Sequence, residues 1–170
     1  MPSRFLVLHD YGMGGLSWWI WADSAEQIVL TLAEVEVITN PDALAQAQEW
    51  GLDELDLSEV DRDPALRRMR AEREQQRGLP GFGVLAGRER VYLRRFHDGS
   101  TYLLEIGQDG RQLRQVELKP DGTLLSSTME GWPFNPPIDL HDPQYAPMEI
   151  GEREFEDSWS RAVPDPSYED

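Results

Sequence analysis

The sequence predicts an α+β fold in a single domain, mainly because regularly placed turn dipeptides divide its second half into short β-rich runs. Three Asp-Gly dipeptides, at 98–99, 109–110 and 121–122, separate runs of alternating or β-rich residues. Asp-Gly is typical of tight hairpin turns, because glycine adopts positive φ without a Cβ clash. Helical and strand-like segments alternate before these turns. At 170 residues the chain can bury one sizeable core, and we expect one domain over 1–163.

The first third of the chain predicts short strands and helices in alternation. Apolar runs at 5–8 and 18–21 read as strands on either side of a glycine-rich connection at 12–15. Asp23 or Ser24 can cap a helix that runs to about Ala33, and Gln27 completes a capping box. Alternation predicts a third strand over 34–38. A second helix follows Asn40-Pro41 and ends before Gly51.

The acidic stretch over 52–63 predicts a loop or irregular segment, because its aliphatic residues are intermittent. A charged helix follows from Ala65 to about Gln76, after Asp63-Pro64. Its apolar stripe consists of Leu66 and Met69 alone. We therefore expect this helix on the surface.

The runs around the Asp-Gly turns predict an antiparallel meander over 90–127, joined in the sheet by the N-terminal strands and packed by three to four helices. Its predicted inward face consists of Val91, Leu93, Tyr102, Leu104, Ile106, Leu113, Val116 and Leu118. Residues 131–147 contain five of the twelve prolines and predict an extended strap. The last helix is expected over 149–162, with Ile150, Phe155 and Trp159 as its apolar stripe. We expect an acidic, disordered tail at 164–170.

The charge is strongly acidic and unevenly distributed. The formal net charge is −16, which makes an extended nucleic-acid interface improbable because the field of the whole molecule opposes it. Residues 1–61 carry −11, residues 62–119 carry +5, and residues 120–170 carry −10. The basic centre is therefore expected to attract the two acidic flanks. The sequence has no cysteine, so thiolate catalysis and Cys-ligated zinc are excluded.

Several short motifs are spread over nearly the whole chain: Leu8 to Gly15 with Trp18-Trp19, Ala33 to Val37, Gly81-Phe82-Gly83, Arg114 to Glu117, Trp132 to Pro137, Met148-Glu149-Ile150, and Glu154-Phe155-Glu156 with Trp159. In this order they resemble an uncharacterised family of small actinobacterial proteins. The segment from Tyr92 to Trp159 is also similar to a smaller bacterial domain of unknown function. The resemblance implies a bacterial, cytosolic protein of one domain, and it brings no catalytic residue.

Each of the three histidines precedes an aspartate, which raises the hypothesis of a metal-dependent hydrolase. A divalent ion held by such residues could polarise a phosphate and activate water. His9, Asp10, His141 and Asp142 are the candidate ligands. Hairpin and Asp-Pro turns already account for two of the three aspartates, so we expect no metal and no other cofactor.

Other catalytic motifs fail on their spacing. No serine lies in a Gly-x-Ser-x-Gly elbow. The glycines at 12, 14 and 15 match neither a P-loop nor a dinucleotide fingerprint, and the acidic stretch lacks the spacing and the central glycine of a calcium loop. The sequence therefore favours a protein without catalysis.

The densest aromatic cluster follows the first strand and consists of Tyr11, Trp18, Trp19 and Trp21. In a strand, Trp19 and Trp21 share one face and Trp18 shares the other with Ile20. We expect at least one indole in the core and another partly exposed, where it could stack on a ligand or anchor a partner.

These observations predict an acidic, non-catalytic interaction protein of the cytoplasm, with no signal peptide and no membrane span. Its partner would carry a basic surface, and a sharper form is an immunity-type inhibitor of a basic toxin or nuclease. The candidate partner-binding residues are Asp53, Glu54, Asp56, Glu59 and Asp61, with the C-terminal helix and tail as a second region. The alternatives are the metal-dependent hydrolase and a small-ligand binder at the aromatic cluster.

Overall fold

The architecture is taken from a computed structural model that describes residues 1–10 and 15–168. The α+β class is confirmed: the chain has two mixed sheets, one of which contains the C-terminal meander, and its longer helices number four in the described residues. Its contacts divide it into two compact units, Met1–Leu79 and Pro80–Asp170. The prediction that the N-terminal strands join the sheet of the meander is wrong: among the described residues they hydrogen-bond to one another and form a four-stranded sheet of their own. The predicted connection at 12–15 lies outside the described residues except for Gly15.

The first unit contains four strands and three α-helices. They are β1 (Ser3–His9), β2 (Leu16–Ala22), α1 (Ala25–Thr31), β3 (Glu36–Ile38), α2 (Pro41–Ala47), β4 (Glu54–Asp56) and α3 (Pro64–Arg77), with a 3-10 helix at Leu57–Arg62. The sheet order is β3-β1-β2-β4, and only the β2–β4 pair of this sheet is parallel. Because adjacent side chains of β2 point to opposite faces, Trp18 and Ile20 enter the main core with Val7 and Ile28.

The helices of this unit begin where the sequence predicts, because their caps are local. The Ser24 hydroxyl accepts from the Gln27 amide at 3.1 Å, and the Gln27 side chain accepts in return from the amide of Asp23. The Asn40 side chain caps α2 in the same way. Asp63 caps α3 through the amides of Ala65 and Leu66 at 2.9 and 3.1 Å.

The prediction of an irregular segment over 52–63 is wrong. Glu54–Asp56 forms β4, which pairs with β2, and Leu57–Arg62 continues as a 3-10 helix. Its aliphatic residues, Leu57 and Val60, are buried in the core of this unit. The spacing of these aliphatic residues fits one short strand followed by a 3-10 turn, a pattern too brief to stand out in the sequence.

Helix α3 lies on the surface of its unit, as predicted, but its buried stripe is longer than the two predicted apolar residues. Leu66 and Met69 are buried, and Arg73 and Gln76 extend the same stripe at helical spacing. Arg73 is fully buried, and its guanidinium donates to the carbonyls of Val29 and Leu32 at 3.1 Å each. These carbonyls end α1, so the cation satisfies acceptors that the helix leaves without intrahelical donors.

The second unit contains the meander, a last helix and two long connections. Its elements are β5 (Arg90–His97), β6 (Ser100–Gly107), β7 (Gln112–Leu118), β8 (Leu124–Thr128), α4 (Glu152–Arg161) and the two-residue strand β9 (Val163–Pro164). The sheet order is β5-β6-β7-β8-β9, antiparallel except for the β8–β9 pair. The three Asp-Gly dipeptides occupy the three turns, and Gly99, Gly110 and Gly122 all have positive φ.

Both faces of this sheet are covered, so the single predicted inward face needs correction. Val91, Leu93, Tyr102, Leu104 and Ile106 pack with the strap residues Ile138 and Leu140, as one face. Val116 belongs to the opposite face, which packs on Phe155 and Trp159 of α4. Leu113 is half-buried and Leu118 is exposed. The error follows from treating one face of an antiparallel sheet as open to water.

Residues 164–168 are more ordered than the predicted tail, of which residues 169 and 170 lie outside the described residues. Val163–Pro164 pairs with β8, and the amide of Asp165 donates to the carbonyl of Ser126 at 2.8 Å. A 3-10 turn follows at Pro166–Tyr168. Backbone pairing with an edge strand supplies this order, and a sequence of alternating prolines does not reveal it.

Candidate functional site

The parallel pairing of β2 with β4 brings two sets of predicted site residues together. Trp21 stands opposite Asp56 in this register, and the indole N–H of Trp21 donates to the Glu54 carboxylate at 2.6 Å. The Trp21 side chain is 38% exposed. An aromatic ring and two carboxylates therefore share one region of the first unit.

This region contains an open cavity of about 470 Å³. We call it the Trp21 cavity. The polar or aromatic residues that line it are Trp21, Asp23, Gln27, Thr31, Asp56, Ser58 and Arg70, and Pro2, Ala22 and Leu57 complete the lining. Asp23, Ser58 and Arg70 were not among the predicted site residues. The Asp56-x-Ser58 spacing is the only local signal of them, since it is typical of an Asx turn.

The Asp56 carboxylate, which brings negative charge to the Trp21 cavity, is fixed by hydrogen bonds within the turn that it forms with Ser58. The Ser58 hydroxyl and amide donate to one oxygen of Asp56 at 2.6 and 2.9 Å. These two hydrogen bonds keep the pKa of Asp56 below its ordinary value. Arg70 brings positive charge to the lining, but it is paired with Asp61 at 2.9 Å and with Glu74 at 3.4 Å.

The acidic residues predicted to meet a partner divide into two groups. Glu54 pairs with Arg4 at 3.3 Å, Glu59 with Arg62 at 2.9 Å, and Asp61 with Arg70. Asp53 and Asp56 are exposed, and neither forms an ion pair within residues 1–10 and 15–168. The uncompensated charge of the stretch is therefore concentrated on these two aspartates.

Pairing between the basic centre and the acidic flanks, which the charge distribution predicted, is confirmed. In the first unit Arg62 and Arg70 pair with Glu59 and Asp61. In the second unit, three arginines of the meander region pair with three glutamates of the last helix and its approach: Arg88 with Glu149, Arg94 with Glu154, and Arg114 with Glu156. Much of the charge of the C-terminal helix is thus compensated within the fold.

The aromatic cluster contributes a single exposed indole to the described site. Trp18 and Trp19 are 4% and 5% exposed. The Trp18 N–H donates to Asp63 at 2.9 Å, and the Arg4 guanidinium lies 4.3 Å from the centre of the Trp19 ring. Both therefore have structural roles in the first unit. Tyr11 lies outside the described residues.

The candidate metal ligands fall in different units and have other partners. His9 Nδ1 is 2.7 Å from the Glu34 carbonyl, and Asp10 is half-buried beside it in sequence. His141 Nδ1 is 3.8 Å from Asp139, and Asp142 caps a 3-10 helix through the Gln144 amide at 2.9 Å. Within residues 1–10 and 15–168, no three His, Asp or Glu side chains are placed to hold a metal ion.

Comparison with known proteins finds no relative of this chain. No protein-family model matches the sequence, and no curated protein or solved structure is significantly similar to it. The resemblance to the actinobacterial family therefore stays a prediction. The part of the chain that the structure describes contains no helix both long and apolar enough to span a bilayer.

The Trp21 cavity is suited to a cation. An exposed indole attracts a cation to its face, and carboxylates beside it add charge-assisted hydrogen bonds. Asp23 and Asp56 provide those carboxylates, while the Trp21 N–H is already directed to Glu54. The Trp21 N–H is occupied by this contact, so the exposed remainder of the ring is what a ligand can reach.

Proposed function

We propose that this chain is an acidic, non-catalytic interaction protein that binds a basic partner protein, and that the Trp21 cavity receives an Arg or Lys side chain of that partner. The observation that carries the proposal is the pairing of Trp21 with Asp56 across β2 and β4. This pairing places the Trp21 ring beside the Asp56 carboxylate, and the hydrogen bonds from Ser58 favour the charged form of that carboxylate.

Charge supports the class of partner. The formal net charge of −16 accelerates encounter with a basic surface, and it disfavours acidic proteins as competitors. The sharper proposal is an immunity-type inhibitor of a basic toxin or nuclease in the bacterial cytoplasm, since such enzymes carry basic clefts for their nucleic-acid substrates. Asp23, Asp53 and Asp56 would then face the partner, with the paired acids around them as a polar rim.

The first prediction tests the cavity with a defined cationic probe. A short peptide of alternating arginine and serine is titrated into the purified protein by calorimetry. We expect Asp56→Asn to weaken binding about 10-fold, because one charge-assisted contact is lost while the amide oxygen still accepts from Ser58. Trp21→Ala should weaken binding about 5-fold through loss of the cation–π contact.

Glu26→Gln is the matched control for charge. Glu26 is an exposed acid in the first turn of α1, outside the cavity lining, so its replacement removes the same unit of charge. We expect it to change binding by less than about 2-fold. Equal losses in Asp56→Asn and Glu26→Gln would show unspecific attraction and contradict the cavity. If spermidine binds and the peptide does not, the site takes small polyamines rather than a protein.

The second prediction concerns pH. Because the pKa of Asp56 lies below its ordinary value of 3.8, the carboxylate stays ionised through the mildly acidic range. We therefore expect the affinity for the peptide to stay constant between about pH 8 and about pH 5, and the contribution of Asp56 to be lost only as the pH falls through its lowered pKa. A decrease between about pH 7 and about pH 5.5 would instead indicate that a histidine governs binding.

A further inference from the structure

A second candidate site lies on the second unit, in a groove across one face of the meander. Two cavities of about 290 and 300 Å³ adjoin there, and Gln112 and Gln115 line both of them. The first cavity adds Arg95, His97, Tyr102 and Leu104, and the second adds Trp132 to Pro136 with Tyr168. We call the pair the meander groove. None of these residues belongs to the Trp21 cavity.

A β-bulge places both glutamines in this groove. Gln112 pairs with Ile106 and Arg114 pairs with Glu105, so Leu113 is an extra residue between them. Without the bulge, residues 112 and 115 would point to opposite faces of the sheet. Neither glutamine side chain hydrogen-bonds to another residue within 1–10 and 15–168, so both amides are available to a ligand.

Three aromatic residues, Trp132, Phe134 and Tyr168, line one end of the meander groove, and we call them the aromatic wall. The Asn135 side chain holds this wall to β7, since its amide donates to the Gln112 carbonyl at 2.8 Å and its oxygen accepts from the Gln112 amide at 3.3 Å. Trp132 is half-buried and Phe134 is 57% exposed. Tyr168 lies against Gly131, where an added Cβ would come within 3.2 Å of it.

Positive charge marks the other end. Arg95 and His97 are exposed on β5, and Arg95 forms no ion pair within the part of the chain that the structure describes. Glu117 lies on the far side of Tyr102, where it accepts from the Ser100 hydroxyl at 2.9 Å and lines neither cavity. Two strand spacings, about 10 Å, separate β5 from β7. The groove is therefore polar, with a cation at one end, amides in the middle and rings at the other.

We propose that the meander groove binds a mononucleotide, with the base stacked on the aromatic wall and the phosphate at Arg95. A glutamine amide both donates and accepts, which matches the edge of a base. Tryptophan and phenylalanine rings stack on any of the bases, and the guanidinium of arginine can donate two hydrogen bonds to a phosphate. A neutral oligosaccharide would leave the cationic end without a function, and a longer nucleic acid is opposed by the net charge of −16.

The test compares AMP with adenosine by calorimetry on the full chain. We expect AMP to bind about 10-fold more tightly than adenosine, because the phosphate contact is charge-assisted. Arg95→Gln should remove this difference and leave the affinity for adenosine unchanged. Trp132→Leu should weaken both ligands by about 10-fold through loss of stacking. Phe134→Ala repeats that test at an exposed position if Trp132→Leu fails to fold.

Arg153→Gln is the matched control, because Arg153 is an exposed arginine on α4 that lines neither cavity. It should bind AMP like the unmodified protein. The proposal is overturned if AMP shows no saturable binding, or if Arg95→Gln and Arg153→Gln weaken AMP equally. Saturable binding of maltotriose that Arg95→Gln leaves unchanged would overturn it in favour of a neutral glycan.

Discussion

Replacement of Gly110 by alanine should destabilise the second unit by about 4 kcal/mol. Gly110 has φ +88°, and an added Cβ would lie 2.2 Å from the Ile138 carbonyl oxygen. The strap cannot simply move away, because the Ile138 amide donates to the Gly110 carbonyl at 2.9 Å. Ile138 also packs in the core of this unit with Leu140. Alanine therefore adds a backbone clash to the ordinary cost of a left-handed residue.

Gly122→Ala separates the two contributions. Gly122 also has φ +88° and also follows an aspartate in a hairpin turn, but a Cβ added there would meet no atom within 4 Å. Its free energy of unfolding should fall only by the conformational cost of alanine at positive φ, about 1 to 2 kcal/mol. Urea unfolding followed by circular dichroism measures both variants. Equal losses would mean that the strap does not pack on the turn at 109–110.

The second large effect is expected at Arg114, whose replacement by methionine should destabilise the second unit by about 3 to 5 kcal/mol. Its guanidinium donates to both oxygens of Glu105, at 2.9 and 2.6 Å, and it pairs with Glu156 of α4. It also lies 4.9 Å from the centre of the Phe155 ring and 4.8 Å from that of Trp159. Methionine keeps much of the packing but leaves the buried Glu105 without the cation that hydrogen-bonds to it.

The pKa values around Arg114 follow from this arrangement. Hydrogen bonds from Arg114 hold the pKa of Glu105 below its ordinary value, although burial opposes them. Burial and the Glu105 charge raise the pKa of Tyr92 to about 12, so its hydroxyl remains a donor to Glu105. A carboxyl with a lowered pKa stabilises the folded state above its unfolded pKa, and this contribution is lost as the pH falls through the folded value.

The Arg114→Met experiment therefore has a pH signature. Without the cation, the buried Glu105 favours its protonated form, so the variant should be most destabilised near pH 7 and less so near pH 4. Arg94→Met is the control, because Arg94 is half-exposed and pairs with Glu154 on the surface. That pair should contribute less than about 1 kcal/mol. A similar loss in both variants, independent of pH, would contradict the role assigned to Arg114.

The comparison of Gly110 with Gly122 also shows where sequence-based reasoning ends. Both glycines follow an aspartate, and both turns were predicted from the same dipeptide. Only the packing of Ile138 makes one of them intolerant of a Cβ. That contact joins residues 28 positions apart in the chain, so no local pattern reveals it.

The candidate site was likewise predicted only in part from the sequence. The exposed indole and the acidic stretch were recognised separately, because aromatic and charged clusters are visible in composition. Their proximity depends on the parallel pairing of β2 with β4, and β4 was not predicted. The same holds in the meander groove, where a bulge at Leu113 turns two glutamines toward one face.

The sequence by itself determined the α+β class, the starts of the three helices of the first unit, the three hairpin turns and the attraction between the basic centre and the acidic flanks; α4 begins at Glu152, three residues after its predicted start, because no side chain caps it. These features depend on residues a few positions apart, or on net charge. The tertiary structure alone decided which acids remain uncompensated, why α3 buries Arg73, and that both faces of the meander are covered. Each of these depends on which distant segments meet, and burial and hydrogen bonding between such segments leave no local pattern in the chain.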